Sequence, residues 1–135
     1  MEGNEKMAIY ESGEDYLEAV LMIEREKGMV RSIDIVNQLG YSKPSISVAV
    51  KNLCSDGYLV MDEDKHLRLT EAGRVIAERI FDRHRTLEAV LIALGVDREQ
   101  AEKDACKVEH DLSDESYEAI KAQWKKVLAS DDTVD

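Results

Sequence analysis

No apolar run in this sequence approaches the roughly 20 residues that a bilayer-spanning helix requires, and its charged N-terminus lacks the apolar core of a secretion signal. Cysteine is nearly absent: Cys54 and Cys106 make no disulfide framework, and no Cys-x-x-Cys pair is present for a structural zinc site. Histidine is as scarce, with three in 135 residues. There is no internal repeat and no low-complexity tract. These absences point to a cytoplasmic protein with reduced thiols and no membrane partner, long enough for one domain or two small units.

What is abundant is acid. The net charge of −11 argues at first against nucleic acid, which is normally met by basic surface. The charge is uneven, however. Residues 1–29 hold eight acids and three bases, residues 30–70 five of each, and residues 71–135 sixteen acids and ten bases. A neutral middle between acidic flanks suits a DNA-contacting module joined to a part that collects cations.

The spacing predicts a mainly α protein with one small β-hairpin. After a loose start, Leu17, Val20 and Leu21 follow helical spacing from Gly13 to about Lys27, with Asp15 and Glu18 on another face and Gly28 as a stop. "RSIDIVNQLGYSKPSISVAVKNLCSDGYL" then gives two short helices at a tight turn. Ser32 is placed to cap the first, with Ile33, Val36 and Leu39 inward and Gly40 ending it. Ser42 is placed to cap the second, Pro44 falls in its first turn, and Ile46, Val50 and Leu53 form its buried stripe. This is a helix-turn-helix pattern. The alternation in "YLVMDEDKHLRLT" adds a hairpin, the wing of a winged helix, with His66 as a surface residue.

Thr70 starts a long helix to Leu94 with Val75, Ile76, Ile80, Leu87 and Leu91 as its stripe. Asp97 and Gln100 make a capping box for a helix over 98–111. Ser113 caps a last helix to about Leu128, on the ridge Ile120, Trp124 and Leu128, and "SDDTVD" reads as a frayed tail.

Within "EKDACKVEHDLSDE", Glu102, Cys106, Glu109 and His110 follow i, i+4, i+7, i+8 spacing, inside about 100° of a helix. Ala101, Ala105, Val108 and Leu112 occupy the adjacent sector. The preceding helix offers His84 and Glu88 at i, i+4, and the first helix Asp15 and Glu18. Carboxylate, imidazole and thiolate together suit first-row divalent metals. Singly, each residue has an ordinary explanation: Cys106 in a core, His84 as a hydrogen-bonded histidine, the acids as solubilising charge. Spacing alone leaves both readings open.

A winged helix opening on "EDYLEAV" and followed by "RHRTLEAVLIALGVDREQAEKDACKVEHDLSDE" resembles the diphtheria toxin repressor family of metal-dependent transcriptional regulators. The similarity runs from Glu14 to Trp124, and its most specific part is the Cys-x-x-Glu-His of "ACKVEHDLSDE". Without a third, SH3-like domain, the chain is more similar to the shorter manganese-transport regulators. Resemblance to that branch implies Asp15, Glu18, His84, Glu109 and His110 as ligands of a two-metal cluster. Resemblance to the iron-responsive branch implies Cys106, Glu109 and His110 at one site, with His84, Glu88 and Glu102 near a second. The chain is a hybrid: the iron branch has methionine at Asp15 and histidine at Glu102, and the manganese branch has glutamate at Cys106. Hard Asp15 favours Mn2+, whereas thiolate at Cys106 favours Fe2+ and, in vitro, Co2+, Ni2+ or Zn2+.

The expectation is therefore a non-enzymatic repressor of metal-uptake genes with metal as co-repressor. A winged helix-turn-helix DNA-binding domain over 1–70 precedes a helical metal-binding and dimerisation domain over 71–135. Ser42, Lys43, Pro44, Ser45, Ser47 and Lys51 lie where the second helix of the pair meets base edges and phosphates, and Arg31, Lys65 and Arg68 are placed for backbone contact. A two-fold homodimer implies a palindromic operator in double-stranded DNA. The rivals are a winged-helix regulator that senses no metal and a di-metal carboxylate enzyme. The latter lacks the usual Glu-x-x-His pairs, since Phe81 and Lys107 stand three before His84 and His110.

Overall fold

The computed structural model describes the backbone of residues 2–134 and the side chains of residues 13–130. Among the described residues six helices and one hairpin follow in the order α1 (Glu2–Lys27), α2 (Ser32–Leu39), α3 (Lys43–Ser55), β1 (Leu59–Met61), β2 (Leu67–Leu69), α4 (Glu71–Ala93), α5 (Arg98–Val108) and α6 (Asp114–Val134). They form two compact units, residues up to Arg79 and residues from Ile80 onward, with α4 contributing to both. None of the described helices is long and apolar enough to cross a membrane.

In the first unit Leu17, Val20 and Leu21 of α1, Ile35 of α2, Ile46, Val50 and Leu53 of α3, and Leu59 and Leu67 of the hairpin are all buried. Burying each such side chain stabilises the fold by roughly 1.5–3 kcal/mol before entropy is subtracted. Helix α1 begins at Glu2, well ahead of the expected Gly13. In α2 the inward residue is Ile35, while Ile33 is 44% exposed, so the expected stripe is rotated. The α2 cap also differs: the N-cap is Arg31, not Ser32, and its amide donates to the Asp34 carboxylate at 2.9 Å. The Lys27 ammonium reaches the other Asp34 oxygen at 2.8 Å, and this hydrogen bond holds the Asp34 carboxyl below its ordinary pKa.

Gly40 ends α2 at φ 77°, a left-handed conformation that a Cβ disfavours, and so allows the tight turn into α3. Ser42 caps α3 as expected, accepting from the Ser45 amide at 3.3 Å, with Pro44 in the first turn. Tyr41 in that turn packs edge-on against Tyr16 of α1, with ring centroids 6.0 Å apart, which anchors the start of α3.

The hairpin pairs Leu59 with Leu69 and Met61 with Leu67. Asp62 builds its turn by accepting from the amides of Asp64 and His66, both at 2.9 Å. Val30 adds an isolated bridge to Leu67. Thr70 caps α4 by accepting from the Gly73 amide at 3.1 Å and donates to the Gly57 carbonyl at 2.7 Å. Gly73 is there for closeness: a Cβ would stand 2.1 Å from the Tyr58 carbonyl oxygen. Val75, expected inward, is 64% exposed.

In the second unit Leu87, Ala101, Ala105 and Tyr117 are buried. Asp97 caps α5 by accepting from the Gln100 amide, and Ser113 caps α6 by accepting from the Ser116 amide. Helix α5 stops at Val108 rather than Asp111, and Val108 is exposed rather than packed. Helix α6 continues to Val134, through most of the tail expected to fray, and Leu128 on its expected apolar ridge is 46% exposed. The Tyr117 hydroxyl donates to Asp82 and lies 3.1 Å from the Thr86 hydroxyl, and Lys121 reaches Asp82 at 2.8 Å.

Candidate metal centre and DNA-facing surface

Three donor side chains of the second unit converge where α4 meets the end of α5. His84 Nδ1 lies 2.9 Å from Glu109 Oε2 and 3.6 Å from Cys106 Sγ. Nitrogen, sulfur and oxygen donors from these three residues lie within 4.8 Å of one another. Their environments differ. His84 is buried, Glu109 has no exposed surface, and Cys106 is exposed, contrary to the core position that was its ordinary explanation.

Glu109 closes α5 as its C-cap, its amide still bonded to the Ala105 carbonyl, so its side chain follows Cys106 by almost one helical turn. Its Oε1 is buried without a hydrogen bond and lies 3.4 Å from His110 Nε2. A carboxylate oxygen kept from water without a donor is destabilising, and a cation would satisfy it. The other face of the His84 ring is held by Glu88, whose Oε2 is 3.1 Å from Nε2. A carboxylate on the far ring nitrogen is the usual support of a metal-ligating histidine and leaves Nδ1 toward Cys106 and Glu109. Hydrogen bonding of the imidazole with Cys106 and Glu109 pushes the His84 pKa up to about 11 against the opposing effect of burial. A proton therefore supplies positive charge among these donors and competes with a metal for Nδ1. The donor set and the buried oxygen of Glu109 both fit a first-row divalent cation.

The remaining candidates are distributed as follows. Glu102 is exposed and stands in no donor cluster among the described residues. Asp15 is half-buried and Glu18 is buried on α1 of the first unit, which removes the solvated face that would have explained them. Asp62, Asp64 and His66 also approach one another, but the Asp62 carboxylate is taken up by the amides of the hairpin turn.

On the first unit, Ser42, Lys43, Pro44, Ser45, Ser47 and Lys51 are all exposed on or just before α3. Arg31 is exposed ahead of α2, and Lys65 and Arg68 are exposed on the hairpin. No acid occurs from Ile35 to Ser55, although the whole chain carries 29. Cys54 is half-buried, and burial pushes its thiol pKa up.

Residues 8–67 match the family description "Iron dependent repressor, N-terminal DNA binding domain", and residues 70–128 match "Iron dependent repressor, metal binding and dimerisation domain". The HTH-type transcriptional regulator MntR of Bacillus subtilis (strain 168) is 38% identical over 109 residues, covering 81% of this chain and 77% of that protein. The chain belongs to the iron-dependent repressor family. Transcriptional regulator MntR of Escherichia coli O157:H7 is 33% identical over 113 residues, 84% of this chain and 73% of its own length.

Among solved structures, a manganese-dependent transcriptional repressor in complex with manganese is 26% identical, with a TM-score of 0.74 over 82% of this chain and 51% of that one. IdeR of T. acidophilum is also 26% identical, with a TM-score of 0.74 over 83% of this chain and 53% of that one. The chain thus spans about half the length of these solved family members.

Two residues of this chain escaped the sequence reading. Val48 stands 61% exposed in the middle of the α3 face, where a valine reads in sequence as core. Arg83 is buried beside His84, where charge in a helix reads as surface.

Proposed function

We propose that this chain is a metal-activated, non-enzymatic transcriptional repressor. In this reading residues 1–70 bind double-stranded DNA as a winged helix, and residues 71–135 bind metal and form the homodimer. The observation that carries the reading is the buried Glu109 carboxylate beside His84 and Cys106, a donor set with an unsatisfied oxygen. When bound, the cation supplies the positive charge that allows several acidic donors to share one place. His84 and Glu109 contribute nitrogen and oxygen, Cys106 a thiolate, and Glu88 orients the His84 ring.

We extend the ligand set to His110, Asp15 and Glu18 from the family resemblance, which also implies Glu102 near a second metal together with His84 and Glu88. Ligands drawn from both α1 and residues 84–110 would let metal select the DNA-competent arrangement by its higher affinity for it. The physiological metal is Mn2+ or Fe2+: Asp15 is a hard oxygen donor and Cys106 a soft sulfur donor. Co2+, Ni2+ and Zn2+ are expected to substitute in vitro.

On DNA, α3 enters the major groove with Ser42, Lys43, Pro44, Ser45, Ser47 and Lys51, while Arg31, Lys65 and Arg68 meet the backbone. Two copies related by two-fold symmetry read a palindrome before metal-uptake genes, in the cytoplasm. Selection from random duplexes, with Mn2+ or anaerobic Fe2+ against chelator, tests this. Recovery of a palindromic motif only with metal is the expected result; the same motif recovered under chelator would leave a winged-helix regulator that senses no metal.

A further inference from the structure

Arg83 is 4% exposed, directly precedes His84 on α4, and is used by neither the metal centre nor the DNA-facing surface described above. Its Nη1 donates to the carbonyl of Glu109 at 3.0 Å and to that of Leu112 at 2.8 Å. Its Nη2 pairs with Asp114, and the guanidinium lies 5.0 Å from the centre of the Tyr117 ring. Its Nε is buried with no acceptor.

This is an expensive side chain to bury, and a hydrophobic residue of similar volume often serves stability as well or better. What the guanidinium does locally is specific. Helix α5 ends at Val108, and the carbonyls beyond it have no intrahelical donor. Arg83 satisfies two of them and places a cation at the negative end of that helix. The backbone thus held, Glu109 to Leu112, carries the Glu109 and His110 side chains. The residue that holds it is the chain neighbour of His84. One turn of α4 therefore presents a metal donor and fixes the segment bearing the donor opposite it.

We propose that Arg83 is a positioning residue of the metal centre, its guanidinium clamping the Glu109–Leu112 backbone so that Glu109 faces His84 before any cation arrives. The inference rests on the metal-binding reading above and adds the origin of its affinity. Ordering Glu109 during folding removes that cost from metal binding, the general benefit of preorganisation. Lysine cannot replace the guanidinium, because a single flexible ammonium lacks the rigid planar N–H geometry that holds the Glu109 and Leu112 carbonyls at once.

The test is titration with Co2+ alone, followed through the thiolate-to-cobalt absorption that reports Cys106, on the native chain, R83K and D114A. Each variant is titrated at a temperature where circular dichroism shows it folded, and R83M, which keeps the volume, replaces R83K should that variant not fold. Loss of an outer partner of a metal ligand typically weakens binding about 10- to 100-fold, and that is the loss expected for R83K. The Asp114 side chain is 76% exposed and pairs on the solvent side of the clamp, so D114A is expected to bind Co2+ as the native chain does. A purely structural role would lower thermal stability without moving the Co2+ affinity of the folded protein. Folded R83K binding as tightly as the native chain overturns the inference and leaves the metal centre standing, as does an equal loss in D114A, which would assign the effect to charge. Absence of Co2+ binding by the native chain removes the centre and the clamp together.

Discussion

Glu109 Oε2 stands 2.9 Å from His84 Nδ1, joining a carboxylate with no exposed surface to a buried imidazole. The pair holds a proton where the family resemblance places a metal. Its two halves come from different helices, and each depends on the other's charge.

Glu109→Gln keeps the shape and removes the charge. His84, with its pKa pushed up to about 11, stays protonated through neutral pH in the chelated native chain, and its pair with Glu109 stabilises that chain most fully below the ordinary value of 6.5, fading as pH rises toward about 11. In E109Q the His84 titration is expected to move down, read from imidazole nitrogen shifts by NMR. Metal affinity measured by equilibrium dialysis should fall at least about 10-fold in the same variant, by analogy with loss of an outer partner, which is a smaller change. An unmoved titration would show that Glu109 does not set the His84 charge.

Metal binding to the native chain should strengthen as pH rises, because the proton on His84 must leave for Nδ1 to coordinate. Isothermal titration in buffers of different ionisation enthalpy should detect proton release on Mn2+ or Co2+ binding. Release of no proton would mean that His84 does not coordinate.

Much of this arrangement was legible from residue order alone, and the reasons are local. The Ser42 and Asp97 caps, the Thr70 start and the Ile46, Val50, Leu53 stripe all follow from chemistry within four residues of one another. The meeting of His84 with Cys106 and Glu109 was not legible: spacing left the cluster open, and the iron-branch resemblance set Cys106 and Glu109 with His110 and His84 at a second site. What was not legible depends on neighbours distant in sequence. The rotation of α2 toward Ile35 is set by what α2 packs on. Val30 pairs with the hairpin through a single residue, which carries no alternation to detect. Arg83 reads as a surface charge until the carbonyls of Glu109 and Leu112, 26 and 29 residues away, are placed against it.

Gly73→Ala should destabilise the first unit sharply. A Cβ 2.1 Å from the Tyr58 carbonyl oxygen cannot be accommodated without moving the backbone between the hairpin and α4. Overpacking of this kind costs about 1–3 kcal/mol or more, visible as a lower urea midpoint. A midpoint equal to the native chain's would show that the helix start moves freely.

Asp34→Asn tests the α2 start. The Lys27 hydrogen bond holds the Asp34 carboxyl below its ordinary value of 3.8, so its contribution is present above that pH and is lost as pH falls through the native value. The acid limb of stability against pH should be shallower in D34N than in the native chain, followed by circular dichroism. Superimposable limbs would remove Asp34 from the account of this helix.

Lys51→Ala and Val48→Ala should separate two kinds of DNA contact. Removing a phosphate contact at Lys51 lowers affinity on all sequences and reduces the slope of log K against log salt by about 1. Removing the exposed Val48 side chain should weaken the selected operator and leave random duplex binding and the salt slope unchanged. An identical pattern in both variants would contradict this division of the α3 face.

The most direct measurement is fluorescence anisotropy of the selected operator at fixed ionic strength, with chelator, Mn2+ or anaerobic Fe2+, for the native chain and Glu109→Ala. The account predicts operator binding by the native chain only with metal, and loss of that metal response in E109A. Equal operator binding by both proteins under chelator would contradict it and reduce the His84, Cys106 and Glu109 cluster to a structural one.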